Sequence, residues 1–76
     1  MSRENILSSN IKKYRKKLNI SQDKLSKISD VTYNTIIKIE SGRNMNPTIK
    51  TLMKIAAALG VSLDELAKGK NHEKRH

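Results

Sequence analysis

Asn34, Ile37, Lys38 and Ser41 fall on one side of the short segment YNTIIKIES if it is helical, while Ile36 and Ile39 mark the other side. An amide, an aliphatic group, one cation and a hydroxyl, with no carboxylate among them, is an unusual solvated face. A surface helix without a partner normally fills that side with Glu and Lys. The same set matches the edges of base pairs. Asn34 can pair bidentately with adenine, Lys38 can donate to guanine O6 and N7, and Ile37 can touch a thymine methyl. Tyr33 stands at the flank of this face. The blander reading of Ile37 is a stray exposed aliphatic, which is common on protein surfaces.

A second constellation, HEKRH (His72 to His76), matches the zinc-protease pattern H-E-x-x-H. That chemistry needs a helix to align the histidines, a third ligand and a walled site. The stretch GKNHEKRH offers no apolar residue to build one. No other nucleophile–base pair or paired carboxylate stands out, since Asp64 and Glu65 belong to a helix start. The expectation is therefore no catalytic residue, no metal, no cofactor and no enzyme. A third candidate, KKYRKK (Lys12 to Lys17), is a cationic run at the end of a helix, where positive charge favours the dipole. It reads first as a solvated face with long-range attraction for a polyanion.

The base-matching residues need elements to hold them. Leu7, Ile11, Tyr14 and Leu18 recur at helical spacing and predict a first helix from about Arg3 to Leu18. Ser21 caps a second helix ending near Ser29, with Leu25 and Ile28 inward. Asp30 and Val31 make a short turn, Thr32 caps the third helix, and Gly42 supplies its left-handed stop. Pro47 bars helix before it. A fourth helix, capped at Asn46 or Thr48, runs to Gly60 and buries Ile49, Leu52, Met53, Ile55, Ala56 and Leu59. Ser62 and Glu65 form a capping box for a short fifth helix, LDELAK. The expectation is an all-α domain of five helices over residues 1–68, followed by a disordered basic tail over 69–76.

The second and third helices are too short to be stable alone. Two short helices joined by a tight turn make a helix-turn-helix, in which one helix lies in a major groove and the other braces it. Composition agrees. The 76 residues hold 16 basic and 7 acidic side chains, a formal charge of +9 weighted toward the first twenty positions. The sequence pI is about 10.1. That balance points to a polyanion. With only Tyr14 and Tyr33 aromatic, a stacking platform for single strands is disfavoured and duplex DNA is favoured. No apolar run approaches a membrane span, no signal peptide is evident and no cysteine is present, so a cytoplasmic location is expected.

ISQDKLSKISDVTYNTIIKIESG, followed by NPTIKTLMKIAAALGVSLDEL, resembles the phage-repressor and Cro-like helix-turn-helix family from about Ile11 to Leu66. The resemblance implies a compact five-helix domain of the lambda-repressor type. It implies that Gln22 contacts phosphate and steadies the recognition helix, and that Thr32, Tyr33, Asn34 and Lys38 face bases. It gives backbone contacts to Thr35, Ser41 and the loop with Arg43, Asn44 and Thr48, and it makes Arg15 and Glu40 a structural ion pair. Ser26 and Asp30 depart from the usual Ala and Gly. Aspartate tolerates a left-handed conformation better than most residues, so a costlier turn is expected rather than another fold.

The function these expectations favour is a sequence-specific regulator of transcription, a repressor acting as a homodimer on a pseudo-palindromic operator. The alternative is an antitoxin-type module that binds a toxin protein and regulates its own operon, and an anti-repressor is another protein partner to consider. Only residues 1–9 and 69–76 are available to serve such a partner.

Overall fold

Serine and threonine hydroxyls set the start of four of the five helices. The computed structural model describes residues 6–44 and 46–68. Over these run α1 (Ile6–Lys17), α2 (Gln22–Ser29), α3 (Tyr33–Glu40), α4 (Ile49–Leu59) and α5 (Leu63–Lys68), with no strand among the described residues. Ser21 accepts from the Lys24 amide, Thr32 from Thr35 and Thr48 from Thr51. Thr48, and not Asn46, is thus the cap of α4. Ser62 and Glu65 accept each other's backbone N–H at 3.0 and 2.9 Å. Each such cap is worth about 1 kcal/mol.

The stops are equally local. Asp30 ends α2 in the left-handed region at φ 61°, and Gly60 ends α4 at φ 73°. α3 ends one residue earlier than its pattern suggested, because Ser41 is its C-cap and Gly42 then turns the chain at φ 84°. The expected start of the first helix at Arg3 and the tail from Gly69, HEKRH included, lie outside the described residues.

Ile11, Tyr14, Leu25, Val31, Ile36, Ile39, Ile55, Ala56, Leu59 and Leu66 form one core, with Leu7 and Leu52 packed against it. α1 lies on α3 and α5, while α2 lies on α3 and α4. Four residues expected inside are not there: Leu18, Ile28, Ile49 and Met53 are exposed. Leu18 follows the last residue of α1. In α2, Leu25 and Ser29 take the inward side, and Ile28 stands about 100° away from Ser29. In α4 the buried arc is narrow, centred on Ile55, Ala56 and Leu59. Ile49 and Met53, four residues apart, share a different side and face solvent.

One core group is spent poorly. The Tyr14 hydroxyl is buried with no hydrogen-bond partner among the described residues. Leaving such a group unpaired costs about 1–3 kcal/mol. Tyr14→Phe is therefore expected to match or exceed the parent in urea denaturation. A loss of stability would show that the hydroxyl has a partner after all.

Candidate nucleic-acid interface

α3 is held by its inner side. Ile36 and Ile39 are buried at 1 % exposure each, and Glu40 at 3 % closes the same side at the helix end. Around that carboxylate three elements converge. Arg15 of α1 donates from Nε to Oε2 at 2.7 Å and from Nη2 to Oε1 at 3.0 Å, a fork against a fork. Gln22, the first residue of α2, donates from Nε2 to Oε1 at 3.0 Å. Arg15 also donates from Nη1 to the Ile20 carbonyl at 2.9 Å, which seats the loop before α2. The Ser8 hydroxyl completes the clamp by donating to the Glu40 carbonyl at 2.7 Å.

This clamp leaves the other side of α3 outward. Tyr33, Asn34, Lys38 and Ser41 are exposed, and Ile37 and Thr35 are half-buried. The face holds no carboxylate. Asn34 and Lys38 therefore stand together with Tyr33 on a rigid element, one turn apart. The hydroxyls around them are partly committed. Thr32 Oγ1 accepts from the Thr35 amide at 3.3 Å and donates to Thr35 Oγ1 at 2.8 Å, which spends its only hydrogen. It keeps acceptor capacity for a base amino group, not donor capacity for a phosphate. Ser41 donates to the Lys38 carbonyl at 3.1 Å.

Beyond α3 the chain makes a polar loop. The Asn44 amide N–H reaches back to the Lys38 carbonyl at 3.0 Å, and Asn44 Oδ1 accepts from the Asn46 amide at 3.1 Å. Arg43 and Thr48 are exposed at its two ends. Gln22 thus meets α3 at the clamp, Thr35 lies on α3, Ser41 caps its end, and Arg43, Asn44 and Thr48 follow in the loop up to α4. Gln22 has a second amide hydrogen beyond the one on Glu40, and that hydrogen is what a phosphate oxygen would take.

Two supporting residues escaped the sequence reading. Ser8 holds α3, and Asn10 donates from Nδ2 to the Leu66 carbonyl at 2.9 Å, fastening α5 to α1. Both are buried polar side chains. The signal was available, because Asn10 follows Leu7 by three and precedes Tyr14 by four, which places it on the inward stripe.

The fold and the clamp define a small helix-turn-helix domain with a braced third helix. The helix-turn-helix family profile matches residues 11–66, and the chain belongs to that family in its Cro/C1 type, a family of DNA-binding transcription regulators. An HTH-type transcriptional regulator of Rickettsia prowazekii is 34% identical over 56 residues, 70% of this chain. The match spans 61% of that relative's length. The N-terminal DNA-binding domain of SinR from Bacillus subtilis superposes with a TM-score of 0.82 at 32% identity, over 90% of this chain and 97% of that one. The P22 c2 repressor, solved in complex with a synthetic operator, superposes with a TM-score of 0.78 at 32% identity, covering 87% and 98%. No helix among the described residues is long and apolar enough to cross a membrane.

Proposed function

We propose that the protein is a sequence-specific double-stranded DNA-binding regulator of transcription, a repressor acting in the cytoplasm as a homodimer on a pseudo-palindromic operator. The observation that carries this reading is the carboxylate-free outward side of α3, presented by a helix whose inner side is clamped by a buried carboxylate. Thr32, Tyr33, Asn34, Ile37 and Lys38 read base edges. Gln22, Thr35, Arg43 and Asn44 hold phosphates, and Ser41 and Thr48 join them by exchanging their hydrogen bonds to the Lys38 carbonyl and Thr51 Oγ1 for a phosphate oxygen. Likeness to a repressor solved on its operator supports the same role. A homodimer places two such helices about one helical turn of DNA apart.

The test is selection of bound sequences from a random duplex pool, run on the parent and three single variants. Asn34→Ala and Lys38→Ala alter exposed side chains and should cost little stability. Each is expected to weaken binding by about 1–3 kcal/mol and to relax preference at one base pair per half-site. Gln22→Ala should instead weaken binding to all sequences by similar factors. It also removes a donor from Glu40, so its folding must be checked at the assay temperature. If Asn34→Ala and Lys38→Ala keep the parent's sequence preference, α3 does not read DNA, and a protein-binding role such as that of an antitoxin takes first place.

A further inference from the structure

The lysines of α1 lie outside the helix-turn-helix, and the structure sorts them into two sets. At about 100° per residue, Lys12 and Lys16 stand about 40° and 80° from Ser8, while Lys13 and Lys17 stand about 60° and 20° from Asn10. Ser8 marks the side of α1 that carries the end of α3, through its bond to the Glu40 carbonyl. Asn10 marks the side that carries α5, through its bond to the Leu66 carbonyl. Lys12 and Lys16 thus flank α3, and Lys13 and Lys17 flank α5.

The α3 flank is also where α2 begins. Arg15 bonds both Glu40 and the Ile20 carbonyl, and Gln22 bonds the same carboxylate. The last turn of α1, the first of α2 and the end of α3 therefore meet at one point. Lys16 is exposed there, and no carboxylate among the described residues pairs with it. The nearest acid on the first turn of α2, Asp23, is engaged along its own helix with Lys27 at 3.2 Å.

We propose that Lys16, with Lys12 beside it, forms a phosphate-contacting strip on α1 continuous with the N-terminus of α2, so that the first helix grips the duplex backbone directly. This rests on the DNA-binding reading above. Lys13 and Lys17 belong to the general field of the protein and touch no phosphate. A lysine ammonium suits the role, being a compact point charge with three donors and no demand for a fixed acceptor geometry.

The experiment measures the salt dependence of affinity for the duplex that the parent selects from a random pool, in the parent and in Lys16→Ala, Lys13→Ala and Lys17→Ala. All three variants remove one charge of equal sign from the same helix, so any difference comes from position. Lys16→Ala is expected to reduce the log–log slope by about one unit per half-site, with base preference unchanged. Lys13→Ala and Lys17→Ala are expected to leave the slope within error of the parent. Equal flattening by all three, or an unchanged slope in Lys16→Ala, would overturn the strip while leaving DNA binding intact. A parent that retains no duplex from the pool would overturn both.

Discussion

Glu40→Ala is expected to destabilise the domain by about 3–5 kcal/mol in chemical denaturation. The carboxylate is 3 % exposed and receives two donors from Arg15 and one from Gln22. Its removal leaves the Arg15 guanidinium, only 12 % exposed, with no anion to offset its desolvation. A cation stranded in this way costs more than the pair contributes. For a domain of this size the total stability is about 4–11 kcal/mol, at roughly 0.05–0.15 kcal/mol per residue. The loss is a large fraction of that total, so the variant should unfold at a much lower urea concentration than the parent. Replacing both partners together, as Arg15→Met with Glu40→Leu, should recover much of the loss, because apolar groups of similar volume bury without a charge penalty. If Glu40→Ala melts with the parent, the three donors are held by water and the clamp contributes nothing.

Raising salt fourfold is expected to lower duplex affinity about a thousandfold, from a log–log slope near −5 with five or six phosphates neutralised by lysine and arginine across the proposed homodimer. The physical cause is counterion release. Lysine and arginine displace cations condensed on the duplex, and added salt makes that release less favourable. The chain has charge to spare for this at +9. The loss should apply alike to selected and unselected sequences, since phosphates are the same in both. A fluorescence-anisotropy titration at several salt concentrations measures it. A slope near zero would mean that no phosphate is neutralised, and the regulator reading would fall with it.

Much of the architecture was legible because its boundaries are written in single residues. Ser21, Thr32 and Ser62 cap helices as hydroxyls do, and Gly60 stops one as glycine does. The inward faces were less legible. Ile49 and Met53 are as apolar as Ile55, and type alone does not say which part of a wide apolar arc meets a neighbour. That depends on where α2 and α5 lie against α4, which no local pattern records. The same limit explains Ile28. The clamp shows a different gap. Arg15 and Glu40 stand 25 positions apart, and no periodicity links them; only likeness to a family suggested the pair. The same likeness suggested that Gln22 steadies α3, whereas the bonds from Ser8 and Asn10 were unreadable for that reason. Small polar residues on an inward stripe announce that they are buried, but not what they hold.

Asn10 has a consequence for how the domain opens. α5 is six residues long, well short of what can persist as an isolated helix. Its Leu66 sits in the core at 1 % exposure, and the Leu66 carbonyl is held by Asn10, 56 positions earlier. Ala67 and Lys68 are exposed, but α5 cannot fray past Leu66 residue by residue. It must release Leu66 and the Asn10 amide in one step, and that step uncovers α1. Backbone amides of α5 should then exchange with deuterium together, at a rate set by undocking from α1 rather than by distance from the terminus. A spectroscopic label on α5 would report on the integrity of α1.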